Sequence, residues 1–136
     1  MQLTRVYRFS ASHRLHVAGL SEEANDKLYG KCNNPHGHGH NYLLHVGVRG
    51  EADDRTGRII DVGALDALVQ RYAIDAFDHK DMNSDVPEFA TLVPTTENLA
   101  IVVEKRLRDA WKFEPAELDR IFIRETPRNT FELRRS

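Results

Sequence analysis

Only one cysteine, Cys32, occurs in the 136 residues, so no disulfide can close within the chain, and a reducing cytoplasm is the expected compartment. Long apolar runs are missing as well. None approaches the ~20 residues needed to span a bilayer, and no membrane association is expected. The opening Met-Gln-Leu-Thr-Arg-Val-Tyr-Arg-Phe alternates polar and apolar residues, without the apolar centre of a secretion signal. Charge of one sign is also scarce: the formal net charge is −2, and no Lys/Arg block stands out beyond the short tail Arg134-Arg135. A nucleic-acid-binding surface is therefore not expected. Repeats and low-complexity segments are absent. What remains is 40% hydrophobic and 29% charged residues, the balance of a soluble globular protein. At this length the expectation is one domain, 1–136, able to bury most of its apolar surface.

The pattern along the chain predicts an α+β fold. Leu3 to Phe9 reads as a strand, with Leu3, Tyr7 and Phe9 on one parity, and the signal continues into Ser10-Ala11-Ser12-His13. Leu20 to Asn34 is polar and reads as a long excursion. A second strand runs from about His38 to Arg49, followed by turn residues from Gly50 to Gly57. Arg58 to Asp61 is expected to be the return strand of a hairpin. Val62 to Phe77 then changes to helical spacing, with Asp61 as its N-cap. Asp78 to Pro94 reads as a loop. Thr95 or Thr96 caps a second helix, in which Leu99, Val102, Val103 and Leu107 form the apolar stripe. Arg120 to Thr126 and Thr130 to Leu133 close the chain as strands around a Pro127-Arg128-Asn129 turn. The order β-β-β-α-α-β-β argues an antiparallel sheet with two helices packed on one face.

The chemistry concentrates in Cys32-Asn-Asn-Pro-His36-Gly-His38-Gly-His40-Asn-Tyr42. Imidazoles two residues apart on a strand point to the same face, and glycine spacers leave room for a metal or ligand to approach. A histidine-rich turn that binds metal adventitiously competes with this reading. His13 shifts the balance, because antiparallel pairing of the first two strands would bring it opposite His38 and His40. Three imidazoles and one open position are the composition of a catalytic zinc site. Imidazole suits zinc over calcium or magnesium, and ligand type alone leaves iron and nickel open. His16 and His45 read as ordinary surface or core residues.

Cys32 has two roles open to it: a fourth ligand that closes the site, or a nearby thiol acting as an acid/base group. Its neighbours Lys31, Asn33, Asn34 and Pro35 do not look like a core strand. Asp78 can orient His79 only if folding brings carboxylate and ring together. Glu125 shares a strand face with Ile121 and Ile123 and needs partners there. It either reaches solvent at the strand end or accepts two N–H bonds from a flat heterocycle.

Together these segments closely resemble the 6-pyruvoyl-tetrahydropterin synthase family and its relatives, the 6-carboxytetrahydropterin synthases of queuosine and other deazapurine biosynthesis. The likeness rests on Phe9-Ser-Ala-Ser-His13-Arg-Leu15, Gly30-Lys-Cys32-Asn-Asn-Pro35, Gly37-His38-Gly-His40-Asn-Tyr42, Asp78-His79-Lys80, Asp85-Val-Pro87, Thr95-Thr96-Glu97-Asn98 and Glu125-Thr126. It implies a tunnelling fold whose sheets join into a barrel on oligomerisation, as a homohexamer of two trimers with active sites between subunits. It further implies that His13, His38 and His40 bind zinc, that Cys32 is the catalytic thiol and that Asp78 with His79 relays protons. Glu125 would anchor a pterin, with Thr95 and Thr96 beside the ring. The implied reaction converts 7,8-dihydroneopterin triphosphate to 6-pyruvoyl-tetrahydropterin with elimination of triphosphate.

One ambiguity lies within the resemblance. Cys32 to His38/His40 has the spacing of pyruvoyl-forming enzymes, whereas Cys32 to His36/His38 fits the shorter spacing of carboxy-forming ones, which also release acetaldehyde. Asn41-Tyr42 after His40 favours the first assignment and makes His36 an outer or solvent-facing residue. A non-catalytic zinc-stabilised module is the alternative of a different class. Arg14, Lys31 and Lys80 are candidates for the triphosphate.

Overall fold

The computed structural model describes residues 1–33 and 37–134, at Cys32 the backbone only. His36, and with it the question of its role, lies outside the described residues. Two 12-residue strands form the backbone of the sheet: β1 (Gln2–His13) and β2 (His38–Arg49). They pair antiparallel along their whole length, from Gln2 opposite Arg49 to His13 opposite His38. Between them lies helix α1 (Glu22–Tyr29), followed by a 3₁₀ turn, Gly30–Asn33. Helix α2 (Val62–Val69) continues through a π-helical turn, Gln70–Ile74, and a last helical turn, Asp75–Phe77. After it come the two-residue β3 (Lys80–Asp81), the short helix Met82–Asp85 and a 3₁₀ turn, Pro87–Ala90. Helix α3 (Thr96–Ala110) and strands β4 (Glu117–Thr126) and β5 (Asn129–Arg134) complete the chain. The five strands are ordered β3-β1-β2-β4-β5, antiparallel except where β3 runs parallel to β1.

Period-2 alternation decides which side of the sheet is covered. Phe9, Ala11 and His13 on β1, Tyr42, Leu44, Val46 and Val48 on β2, and Ile121 and Ile123 on β4 are buried. All but His13 form one apolar cluster with Leu65, Leu68, Val69, Leu99, Val103 and Leu107 of the two longer helices. The opposite parity stays partly open, and Val6 is 53% exposed there. Asp61 caps α2 by accepting from Ala64 N at 3.2 Å. Thr95, rather than Thr96, caps α3, accepting from Asn98 N at 3.2 Å.

Three sequence expectations are corrected. Arg58 to Asp61 forms no strand, because the edges of β2 are already taken by β1 and β4. The polar stretch from Leu20 contains α1, whose start is set by Ser21 accepting from Ala24 N at 3.1 Å. An acidic first turn, Glu22 and Glu23, favours that helix electrostatically, a local signal that a search for apolar periodicity passes over. The loop from Asp78 likewise holds β3 and two short helical turns. No helix among the described residues is long and apolar enough to cross a membrane.

Candidate functional site

Register brings the imidazoles together. His13 ends β1 directly opposite His38, the first residue of β2, and His40 pairs with Ala11 two residues along. His13 and His40 share the helix-covered face, their ring centroids 4.9 Å apart at an interplanar angle of 74°. His38 and His40 lie at 4.5 Å and 79°. His40 thus stands edge-on to both His13 and His38 at the end of the β1–β2 pair.

His13 is fully buried, and its Nδ1–H donates to the Pro94 carbonyl at 2.9 Å. That bond fixes the tautomer and leaves the Nε2 lone pair pointing away from the backbone. Nε2 of His13 and Nε2 of His40 are both buried and make no hydrogen bond among the described residues. Buried polar atoms are normally paired, so two buried ring nitrogens without a hydrogen bond call for a ligand. A cation fits them, since ligating histidines typically donate the other ring N–H to a carbonyl, as His13 does. Burial, followed by the neighbouring His40, lowers the pKa of His13. His40 is also lowered, mainly by burial, with Glu125 opposing. Both effects keep the imidazoles neutral, the form that binds metal.

Glu125 enters this cluster, which the sequence did not indicate. Its Oε1 lies 3.3 Å from His40 Nε2, and one ligand atom each from His13, His40 and Glu125 lie within 4.8 Å of one another. Alternation along β4 puts Glu125 on the covered face with Ile121 and Ile123, and the β4–β5 register shifts at this point. The buried Thr96 hydroxyl donates to Glu125 Oε2 and holds it from the α3 side. Thr95, by contrast, spends its hydroxyl on capping α3.

Asp78 and His79 do touch. Asp78 Oδ2 lies 3.0 Å from His79 Nδ1, while Asp78 Oδ1 accepts from Ser10 N at 2.9 Å. The Ser10 N–H, then the nearby His79, holds the Asp78 carboxyl below its ordinary pKa. His79 adopts a left-handed backbone, φ 59°, fixed by its N–H donating to Ser10 O at 2.6 Å. Its side chain is 84% exposed. Non-glycine residues in that region are costly and collect at functional sites. A groove of about 310 Å³ lies beside His79, bordered by Ser10, Ser12, His40, Asn41 and Lys80. Cys32 lies in the 3₁₀ turn that leads towards β2.

A five-stranded sheet backed by helices, with imidazoles converging at one strand end, defines an α+β protein with a candidate metal centre. The model of the family described as 6-pyruvoyl tetrahydropterin synthase matches residues 2–136, and the chain belongs to that family. It is 46% identical over 128 residues to the 6-pyruvoyl tetrahydrobiopterin synthase of Poecilia reticulata, covering 93% of this chain and 85% of that one. To the Homo sapiens protein of the same name it is 47% identical over 107 residues, with coverages of 79% and 74%. A probable 6-carboxy-5,6,7,8-tetrahydropterin synthase of Halobacterium salinarum is 31% identical over 134 residues, covering 90% and 79%. Among solved structures, the 6-pyruvoyl tetrahydropterin synthase of Caenorhabditis elegans superposes with a TM-score of 0.93 at 39% identity, covering 100% of this chain and 96% of that chain.

Proposed function

We propose that this chain is a zinc-dependent lyase that converts 7,8-dihydroneopterin triphosphate to 6-pyruvoyl-tetrahydropterin with elimination of triphosphate. The observation that carries the proposal is the pair of buried Nε2 atoms of His13 and His40, without a hydrogen bond among the described residues, beside His38 and Glu125. Its setting is a family whose close relatives are named for that product. His13, His38 and His40 would hold the zinc, which supplies Lewis acidity towards the substrate's side-chain oxygens.

The remaining work falls to the chain's own groups. Glu125, held by Thr96, accepts N–H bonds from the pterin ring and so orients the side chain, an effect of positioning. Cys32 as thiolate takes the proton from the side-chain carbon next to the ring. With that carbon's hydroxyl proton it is returned to the ring C=N bond, so the carbinol becomes a ketone and the dihydro ring a tetrahydro one. A proton is then lost from the second side-chain carbon. The C–O bond to triphosphate breaks, and its electron pair leaves with the phosphate. His79, with Asp78 at its Nδ1, moves the proton that converts the resulting enol to a ketone. Each such acid/base step typically contributes about 10²–10⁴-fold in rate. His79 is largely exposed in the single chain, which supports a site completed by a neighbouring subunit in a barrel-forming homohexamer. The same reading keeps the protein cytoplasmic and the pterin triphosphate its small-molecule partner.

The test is product analysis with zinc-loaded protein and dihydroneopterin triphosphate. Triphosphate release without acetaldehyde is expected. Stoichiometric acetaldehyde would assign the chain to the carboxy-forming reaction instead, the reading favoured by the likeness to the Halobacterium salinarum protein. Cys32→Ala should abolish turnover yet keep zinc, whereas His38→Ala should lose both. Full activity in Cys32→Ala would refute the mechanism, and absence of any triphosphate release from wild type would leave a non-catalytic module.

A further inference from the structure

Asn33 follows Cys32 in the chain and is 4% exposed. Its three polar groups other than N–H are all engaged. Nδ2 donates to Asp26 Oδ1 at 2.5 Å, Oδ1 accepts from His16 Nδ1–H at 2.8 Å, and the backbone oxygen accepts from Arg14 Nε at 3.1 Å. A carboxylate only accepts, so Asp26 dictates which way the amide faces and therefore which ring nitrogen of His16 carries the proton. The bonds join three separate segments: the stretch after β1, helix α1 and the Cys32 turn. Asn25 reinforces the junction. It is fully buried, with Oδ1 accepting from Val17 N at 2.7 Å and Nδ2 donating to Val17 O at 3.0 Å and Ser21 O at 3.1 Å. Apolar packing contributes little in this region, where Leu28 is 60% exposed. Side-chain amides, not a hydrophobic contact, hold the turn.

We infer that Asn33, clamped between Asp26 and His16, is a positioning residue that fixes the Cys32 turn against the imidazole end of β1. The inference rests on the reading of Cys32 as the reacting thiol. A displacement of about 1 Å at a reacting group can cost on the order of 10²-fold in rate, and a fully satisfied polar clamp holds one geometry.

The test uses full-length zinc-loaded protein. In Asn33→Asp a carboxylate faces Asp26 and the clamp opens. In the exchange variant Asp26→Asn/Asn33→Asp the amide donates from the other side, and the second carboxylate oxygen of position 33 still accepts from His16. Asn33→Asp is expected to lower kcat about 10²-fold with KM and zinc content unchanged. It should also displace the pH profile of iodoacetamide alkylation at the sole cysteine. The exchange variant should restore both. Wild-type kcat in Asn33→Asp, or no recovery in a folded exchange variant, would overturn the inference. If Asn33→Asp does not fold, His16→Leu removes only one donor, and an unchanged kcat and alkylation profile there would overturn it equally. Turnover surviving in Cys32→Ala would instead refute the function, while recovery of the alkylation profile in the exchange variant would still uphold the clamp.

Discussion

Thr96→Val offers a direct probe of how Glu125 is held. Thr96 is 2% exposed, its hydroxyl donates to Glu125 Oε2, and the Glu125 side chain is 13% exposed. Valine keeps the branched shape and removes the donor alone. A hydrogen bond to a charged group contributes about 1.5–3 kcal/mol, and little water reaches this carboxylate to replace it. Unfolding entropy of about 2.1 cal/mol/K per residue gives roughly 0.29 kcal/mol/K for 136 residues. The melting temperature should therefore fall by about 5–10 °C. Calorimetry belongs on metal-free protein at fixed pH, so that ligand binding adds nothing to the difference. With zinc restored, a carboxylate free to rotate orients the pterin poorly, and KM should rise about 10-fold. A melting temperature within about 1 °C of wild type, together with an unchanged KM, would refute the role given to Thr96.

Metal-free protein should lose stability below neutral pH. Burial lowers the pKa of His13 and His40 in the fold, so between roughly pH 6.5 and the folded-state values the unfolded chain binds more protons. Their contribution is complete above about pH 6.5 and declines below it, by up to about 1.4 kcal/mol per pH unit per imidazole. Urea unfolding at pH 7.5 and 5.5 reads this out, and equal stability at both would contradict it. Asp78→Asn keeps an oxygen for Ser10 N–H but removes the charge beside His79. We expect kcat to drop about 10–10²-fold with little change in KM; steady-state kinetics showing wild-type kcat would remove Asp78 from the relay. Gly47→Ala would place a Cβ 2.9 Å from Arg120 Cβ on the neighbouring strand. Overpacking of this kind costs about 1–3 kcal/mol, and a denaturation midpoint equal to wild type would show that β4 yields freely there.

The bounds of β2, the N-cap Asp61 and a cap at Thr95 or Thr96 were legible because alternation, helical spacing and capping residues are local signals. The juxtaposition of His13 with His38 was legible for the same reason: two long consecutive strands leave little choice but to pair, and the parity of each histidine follows. What escaped was decided at a distance. Arg58 to Asp61 has strand-like residues, yet β4 arrives from later in the chain and takes the place it would have filled. Helix α1 has only a weak apolar face and is held by the side-chain amide of Asn25, which no periodicity reveals. The approach of Glu125 to His40 is held by the Thr96 hydroxyl 29 positions away, and the orientation of His13 by a proline carbonyl 81 positions away. Contacts between Asp78 and His79 could not be read from adjacency; they follow from the left-handed turn that Ser10 pins.

X-ray absorption at the zinc edge of the loaded protein addresses the metal centre most directly. Ligation by His13, His38 and His40 predicts three imidazole nitrogens at about 2.0–2.1 Å and one further light atom from solvent. A sulfur scatterer at about 2.3 Å would mean that Cys32 seals the site, and fewer than three imidazoles would show that these rings do not share a metal.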